Sequence, residues 1–229
     1  MYLWLCPLLA FFFGSIPFGW IFGKCKGIDI REHGSGNIGA TNVWRVLGKS
    51  YGIPCFLLDV LKGLIPTVLG LSLIHFIGMK NPLSLSVLAP LAENFPMLTA
   101  QIFQVLTGLC AILGHNYSPW VGFKGGKGIA TSAGVLIALM PAAVVILVMV
   151  WSIVFAISRY VSLASIIAAA ILPLLTVWGS FHHGKFADGT WNKPLLAFSI
   201  LIGTLAIYKH RSNIQRLRNR TENRFPKKS

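Results

Sequence analysis

Acidic side chains are the scarcest chemical group in this sequence. The 229 residues include only six Asp and Glu, and Asp, Glu, Lys and Arg together make up 11% of the chain. Soluble globular domains carry about 25% charged residues, so this chain has too few charges to cover a soluble surface. Six scattered acids also supply no cluster of ligands for a catalytic metal. We therefore exclude the soluble, disordered and fibrous classes and expect neither a metal nor a cofactor.

The usual nucleophile motifs are missing as well. The cysteines Cys6, Cys25, Cys55 and Cys110 show neither metal-ligand nor disulfide spacing. The sequence contains no G-x-S-x-G nucleophile elbow and no H-E-x-x-H zinc motif. These absences favour a site built from cations and N–H donors, acting on a phosphate-bearing substrate that is already activated.

Long apolar stretches account for most of what is present. Hydrophobic residues make up 55% of the chain and its mean hydropathy is +0.69. The apolar stretches lie at 2–23, 51–78, 96–114, 128–140, 141–158, 161–179 and 194–208. Residues 128–158 would make one helix of about 46 Å against a hydrocarbon core of about 30 Å, and Pro141 would break it. The sequence predicts an all-α polytopic membrane protein with seven transmembrane helices and a single domain, 1–229.

Basic residues orient these spans. With the N-terminus outside, seven spans place four segments in the cytoplasm, and these hold 16 of the 20 Lys and Arg residues: 24–50, 115–127, 159–160 and 209–229. The opposite side holds three, Lys80, Lys185 and Lys193. Because cytoplasmic loops collect Lys and Arg, we expect a cytoplasmic C-terminal tail and assign loops 81–95 and 180–193 to the other side. The net charge of +14 then needs no nucleic-acid partner.

The first polar cytoplasmic segment runs from His33 to Arg45. Three glycines within six residues permit turns of positive φ, whose N–H groups can form an anion nest. We predict a helix over Ala40–Leu47 with its positive dipole end at this loop. Candidate side-chain donors to the same anion are Ser35, Thr41, Asn42 and Arg45. The alternative is a flexible interfacial loop.

The second segment joins Gly114-His115-Asn116 to Phe123-Lys124-Gly125-Gly126-Lys127-Gly128. It resembles a phosphate loop but lacks the Walker pattern, so nucleotide binding is disfavoured. Backbone N–H groups, Lys127 and a following helix N-terminus still favour a phosphate group. A plain basic turn between spans is the alternative.

The third segment lies in the basic tail, 209–229. His210, Asn213 and Leu217 recur at helical spacing and share one face. The alternative is an amphipathic tail lying on lipid.

Within the spans, Asp59 and Lys62 can pair at i, i+3. Ser162 and Ser165 serve either helix packing or ligand binding.

These segments together resemble a known family. The matching strings are GSIPFG (14–19), SGNIGATN (35–42) with Arg45, DVLKG (59–63), Gly114-His115 with FKGGKG (123–128), RYVSLAS (159–165) and the polar residues of 210–222. They resemble the bacterial inner-membrane glycerol-3-phosphate acyltransferases that use acyl phosphate as donor. The resemblance implies a seven-helix membrane bundle in the bacterial inner membrane, with its site facing the cytoplasm.

The resemblance also implies a reaction and roles. A fatty acyl group would pass from acyl phosphate to the 1-hydroxyl of glycerol 3-phosphate, giving lysophosphatidic acid and phosphate. The implied catalytic residues are Ser35, Arg45, His210 and Asn213. Substrate binding is expected from Gly36, Asn37, Gly39, Thr41, Asn42, Lys124, Gly125, Gly126, Lys127, Gly128, Ser162, Ser165 and Arg216. Structural support is expected from Asp59, Lys62 and Glu222.

Some questions stay open at this point. Either His210 or a substrate phosphate oxygen could take the hydroxyl proton. The family usually has Gly where this chain has Arg220, which puts the tight turn there in doubt. Besides the lipid bilayer and the two substrates, a peripheral enzyme that makes acyl phosphate is a candidate partner at the basic face. A transporter of a phosphorylated small solute is the alternative function.

Overall fold

The computed structural model describes residues 4–78, 97–187 and 189–225, and all regular secondary structure within these ranges is helical. The predicted loop 81–95 lies outside the described residues. The ten α-helices of the described ranges are α1 (Leu5–Gly14), α2 (Phe18–Cys25), α3 (Ala40–Leu47), α4 (Lys49–Gly78), α5 (Met97–Asn116), α6 (Ile129–Leu139), α7 (Pro141–Ser158), α8 (Val161–His182), α9 (Lys193–Lys209) and α10 (Arg211–Arg218).

Five segments within the described residues are long and apolar enough to cross a membrane: Leu5–Cys25, Lys49–Gly70, Leu98–Val121, Pro141–Ser158 and Val161–His182. The apolar helices α6 and α9 are shorter, at 11 and 17 residues. Large apolar side chains are exposed on α7 and α8, with Ile157 77% and Phe181 73% exposed. Such surfaces suit lipid, and the prediction of an all-helical membrane protein is confirmed.

The first predicted span, 2–23, corresponds to the candidate span Leu5–Cys25. Within it, the structure has two helices that meet at Ser15-Ile16-Pro17 rather than one continuous helix. Pro17 lacks an N–H group and cannot continue the hydrogen bonding of α1. At this break, the carbonyl oxygen of Ile16 accepts from the Phe18 N–H at 3.2 Å and from Lys62 Nζ of α4 at 2.6 Å.

Two other boundaries confirm the sequence analysis. Helix α6 ends at Leu139 and α7 begins at Pro141, so the proline divides the long apolar stretch as predicted. Proline is well tolerated in the first turn of a helix because its missing N–H has no intrahelical acceptor there. Helix α3 spans Ala40–Leu47, which are the predicted bounds.

The helices group into two compact units, Met1–Leu139 and Met140–Ser229. In the first unit, α1 packs along α5 and α4 packs along α6. Glycine permits the first of these approaches, since a Cβ on Gly14 would overlap the carbonyl oxygen of Ala111 and one on Gly114 would overlap that of Phe11. Small residues at such crossings let backbones pack closely, as is common in membranes.

In the second unit, α7 packs against α8, and α8 against α9, while the short α10 lies against both α8 and α9. Helix α7 ends at Arg159, which has a left-handed backbone with φ of 61°. Between α7 and α8, the Trp151 indole donates to the hydroxyl of Ser165 at 3.1 Å. The residues after α10 fold back to the start of α8, where the Phe225 N–H donates to the Arg159 carbonyl at 3.1 Å.

Candidate active site

The glycine loop, residues 33–39, is built around one buried amide. Asn42, 1% exposed, accepts a hydrogen bond from the Ser35 N–H at 2.7 Å. Its NH2 group donates to the carbonyl oxygens of Ile30, His33 and Asn37 at 3.2, 3.0 and 2.9 Å. The predicted donor Asn42 thus has its amide committed to the loop, and a contact with substrate would cost some of these bonds.

Two glycines of this loop have the positive φ that the sequence predicts. Gly34 and Gly36 have φ of 62° and 69°, and a Cβ on Gly34 would overlap Asn42 Oδ1. The Asn37 side chain accepts from the Gly39 N–H at 2.9 Å, immediately before α3. The backbone therefore turns tightly at the positive end of a helix, which is a geometry that suits an anion.

Three other predicted functional side chains of the glycine loop and α3 are accessible. Ser35 and Thr41 are half-buried, while Arg45 is exposed in the last turn of α3. Just before the loop, Arg31 donates to both carboxylate oxygens of Asp29 at 2.9 and 2.7 Å. These hydrogen bonds from Arg31 hold the pKa of Asp29 well below its usual range, and the pair caps the short 3-10 helix Ile30–Glu32.

The lysine–glycine loop, residues 124–128, sits on the C-terminal end of α5. The Gly126 N–H donates to the His115 carbonyl oxygen at 3.1 Å. A Cβ on Gly125 would overlap that same oxygen, and one on Gly128 would come within 2.7 Å of Asn116 Oδ1. Glycine is thus required at these positions by close contact with α5.

The two lysines of the loop differ in accessibility. Lys124 is exposed and Lys127 is half-buried. Gly128 has φ of 82°, and α6 begins at the next residue, Ile129. The loop therefore ends at a helix N-terminus, as the sequence predicts.

A buried polar group lies inside the first unit. The ion pair predicted between Asp59 and Lys62 forms, at 2.9 Å, with the two residues 2% and 1% exposed. His115, 4% exposed, places Nδ1 3.7 Å from Asp59 Oδ1. Because the His115 carbonyl also accepts from the Gly126 N–H, His115 connects the lysine–glycine loop to the ion pair.

One hydrophobic cluster underlies both loops of the first unit. Its buried members are Ile30, Ile38, Val43, Cys55 and Val121. Ile38 belongs to the glycine loop, and Val121 lies in the segment that joins α5 to the lysine–glycine loop. The glycine loop and the segment before the lysine–glycine loop therefore pack on the same hydrophobic cluster.

Glu222 organises the predicted residues of the second unit. Its carboxylate accepts hydrogen bonds from Ser162 Oγ, Asn213 Nδ2 and Arg216 Nε at 2.8, 2.6 and 2.7 Å. Burial opposes ionisation of Glu222, but these hydrogen bonds and the Arg216 charge outweigh it and hold its pKa below the ordinary value. Ser162 and Arg216 thus hold the Glu222 carboxylate, and their direct contact with substrate stays a prediction.

His210 and Ser165 are also buried, at 3% and 2% exposure. His210 Nδ1 lies 2.8 Å from the Ala206 carbonyl oxygen, which can only accept. The neutral ring therefore carries its proton on Nδ1, and Nε2 is the basic nitrogen. The Ser165 hydroxyl donates to the Val161 carbonyl at 2.9 Å, so a role for Ser165 in binding substrate also stays a prediction.

The turn before Glu222 forms despite the missing glycine. Arg220 takes up a left-handed backbone with φ of 59°. Two hydrogen bonds close the turn, from the Arg220 N–H to Leu217 at 3.1 Å and from the Thr221 N–H to Arg216 at 2.8 Å. The chain therefore returns Glu222 to α10 at the expense of backbone strain at Arg220.

The sequence predicts no role for His115, and it does not predict the polar contact of Ser15 with Ser118 and Trp120. Ser118 Oγ donates to the Ser15 carbonyl at 2.6 Å, and the Trp120 indole donates to Ser15 Oγ at 2.8 Å. A histidine near the end of an apolar helix was a signal for His115, whereas the Ser15 junction joins residues over 100 positions apart. Among the described residues, no group of three or more His, Cys, Asp and Glu could hold a metal ion.

Fold and site together define a polytopic helical membrane protein with glycine-rich, cationic loops suited to phosphate groups. The family model "Glycerol-3-phosphate acyltransferase" matches residues 4–220. The chain belongs to this glycerol-3-phosphate acyltransferase family, which confirms the resemblance seen in the sequence.

Individual relatives agree along nearly the whole chain. Proteins named glycerol-3-phosphate acyltransferase from Geobacter metallireducens and Aquifex aeolicus are 44% and 41% identical, covering 94% and 95% of this chain and 94% and 96% of their own. The crystal structure of PlsY (YgiH), an integral membrane glycerol 3-phosphate acyltransferase, in its glycerol 3-phosphate form is 38% identical, with a TM-score of 0.79. It matches over 99% of this chain and 96% of its own. The lysophosphatidic acid form has a TM-score of 0.76.

Proposed function

We propose that this chain transfers a fatty acyl group from acyl phosphate to the 1-hydroxyl of sn-glycerol 3-phosphate, the first step of phospholipid synthesis. The products are lysophosphatidic acid and inorganic phosphate. The observation that carries the proposal is the match, over 99% of this chain, to an acyltransferase solved in a glycerol 3-phosphate form. The donor is proposed from the absent nucleophile motifs and from the resemblance.

The chemistry fits a site of cations and N–H donors. The hydroxyl oxygen of glycerol 3-phosphate attacks the acyl carbonyl carbon, the bond from that carbon to the phosphate oxygen breaks, and phosphate leaves. Acyl phosphate is a mixed anhydride with a good leaving group, so no acyl-enzyme is needed. The protein must hold two phosphates of like charge together, which positioned cations and N–H groups accomplish.

We assign the roles accordingly. Ser35, Arg45 and the positive N-terminal end of α3 stabilise the reacting acyl phosphate. The lysine–glycine loop binds glycerol 3-phosphate, with Lys127 opposite its phosphate. His210 and Asn213 act on the hydroxyl, and the basic Nε2 of His210 is suited to accept its proton.

We further infer that the whole chain forms one catalytic domain in the bacterial cytoplasmic membrane. Helices α6 and α9 complete seven spans, with the N-terminus outside, the tail inside and the site facing the cytoplasm. The supporting observation is the distribution of basic residues, since 16 of the 20 lie in segments assigned to one side. An enzyme that makes acyl phosphate would then deliver the donor from the cytoplasm.

A two-substrate assay tests the proposal. The purified protein in detergent should release phosphate and form lysophosphatidic acid only when acyl phosphate and glycerol 3-phosphate are both present. Lys127→Ala should lose more than about tenfold in kcat/KM, whereas Lys185→Ala, the same change at an exposed residue after α8, should not. Uptake of glycerol 3-phosphate into vesicles without acyl transfer would contradict the proposal and indicate a transporter.

A further inference from the structure

A buried polar chain supports the lysine–glycine loop, and the proposed chemistry does not use it. Lys62 Nζ donates to the Ile16 carbonyl at 2.6 Å, where α1 gives way to α2, and pairs with Asp59 at 2.9 Å. Asp59 Oδ1 faces His115 Nδ1 at 3.7 Å. This series of polar contacts therefore connects the end of α1, through α4, to the end of α5.

The opposite edge of the His115 ring faces the loop. A Cβ on Gly126 would overlap His115 Nε2 and come within 2.8 Å of Cε1. The Gly126 backbone is also bonded to the His115 carbonyl oxygen at 3.1 Å. The imidazole therefore lies between the carboxylate of Asp59 and the backbone of Gly126, in contact with both.

We propose that His115 is a positioning residue for glycerol 3-phosphate. Its ring, located by the Asp59–Lys62 pair, sets the position of Gly126 and so of the loop's N–H groups. This inference rests on the proposed function of the loop.

The ion pair suits this task because it resists displacement. Moving either partner leaves an uncompensated charge in a low-dielectric interior, which is strongly unfavourable. Stability alone does not account for the pair, because well-packed apolar residues often stabilise a core equally well. Precise placement matters at the loop, because a misplacement of about 1 Å can cost about 100-fold in rate.

Two substitutions of His115 test the two edges of its ring separately. The amide of Asn can occupy the place of Nδ1 and still face Asp59, whereas the amide of Gln reaches the place of Nε2 and still faces Gly126. We expect His115→Asn and His115→Gln each to raise KM for glycerol 3-phosphate about tenfold, leaving kcat and KM for acyl phosphate within about twofold. Partial unfolding would instead lower kcat at unchanged KM.

Gly126→Ala in each background tests the contact itself. In the wild type, the added Cβ strikes the ring, and in His115→Gln it strikes the longer amide. His115→Asn leaves space there, so the KM penalty of Gly126→Ala should be about fivefold smaller in that background than in the His115→Gln background. The control is Thr107→Val on α5, which keeps the methyl against Gly70, deletes a buried hydroxyl and should leave KM unchanged.

The outcomes distinguish this inference from the function on which it rests. A wild-type protein inactive with both substrates would refute the function. An active wild type whose two His115 variants keep the wild-type KM, or lose only kcat, would overturn the positioning role alone. Equal penalties for Gly126→Ala in both backgrounds would also overturn it.

Discussion

Arg220 makes a turn that glycine would make without strain. Its φ of 59° places a large side chain in the left-handed region. Such conformations cost about 1–3 kcal/mol for residues other than glycine, and glycine's greater unfolded-state entropy cancels part of the gain. We expect Arg220→Gly to stabilise the protein by about 0.5–1 kcal/mol, measured by thermal unfolding in detergent.

Arg218→Gly is the matched control, because it removes the same charge from the last turn of α10. Glycine in a helix costs about 1 kcal/mol relative to good helix formers, so this variant should unfold at a lower temperature. If both variants shifted the unfolding temperature in the same direction, charge rather than backbone strain would explain the effect.

His210 provides a second prediction at the residue scale. If Nε2 takes the hydroxyl proton, protonation of the ring at low pH stops the reaction. His210→Gln should then lower kcat by about 100-fold or more and remove the acidic limb of the pH–rate profile. The exposed His183 serves as control, since His183→Gln should keep the wild-type kcat and the acidic limb of the profile. A high residual rate with an unshifted acidic limb would assign the proton to a substrate phosphate oxygen.

Single residues show where sequence reasoning stops. The Asp59–Lys62 pair could be predicted because i, i+3 neighbours share a helix face. The bonds of Asn42 to three carbonyls, and of Ser162 to Glu222 sixty residues away, depend on tertiary structure. A sequence shows that such groups are polar but not whether a ligand or the protein itself satisfies them.

Helix boundaries were more accessible to prediction. A span needs a minimum apolar length, and Pro141 marks an end, so the bounds of α6 and α7 followed from local chemistry. The break at Pro17 was missed because the apolar run continues across it. One of the two donors to the Ile16 carbonyl at this break, Lys62, lies 46 positions further along the chain.

Helix packing makes its own prediction at the contact between α4 and α6. A Cβ on Gly134 would overlap the carbonyl oxygen of Val60, whereas one on Gly179 in α8 meets nothing within 4 Å. Gly134→Ala should therefore destabilise the protein by about 1–3 kcal/mol through overpacking. Gly179→Ala should be neutral, or stabilising by up to about 1 kcal/mol from helix propensity. Thermal unfolding of both variants checks this, and equal behaviour would count against close packing of α4 and α6.

The attachment of α10 and the tail to α8 should weaken in acid. The pKa of Glu222 is held below its ordinary value in the folded state. A carboxyl group of this kind stabilises the fold above its unfolded pKa, near 4.3, and loses that contribution as pH falls through the folded pKa. Wild type should therefore unfold at a higher temperature than Glu222→Gln at pH 7, and the gap should close below about pH 4.

Unfolding temperatures of the two proteins at several pH values provide the measurement. The comparison removes the contribution of other acids, such as Asp29, because both proteins retain them. A gap that stays constant down to acidic pH would mean that the Glu222 charge does not hold the tail.

At the scale of the whole molecule, charge distribution carries information that periodicity does not. The segment containing the glycine loop and the tail containing His210 are both strongly basic, and an odd number of spans places them on one side. An even number would separate them and would divide the proposed active site between the two faces of the membrane. Topology and mechanism are therefore tested by the same measurement.

The chain carries a natural reporter for that measurement. Cys25 is exposed, whereas Cys6 and Cys55 are buried and Cys110 is half-buried in α5. We expect a membrane-impermeant maleimide to label Cys25 in inverted vesicles and not in intact cells. In a Cys25→Ser background, Ser212→Cys in α10 should behave in the same way, and Lys185→Cys should be labelled in intact cells. Labelling of Cys25 and Ser212→Cys from opposite sides would exclude the odd span count and, with it, a cytoplasmic site that uses both the glycine loop and His210.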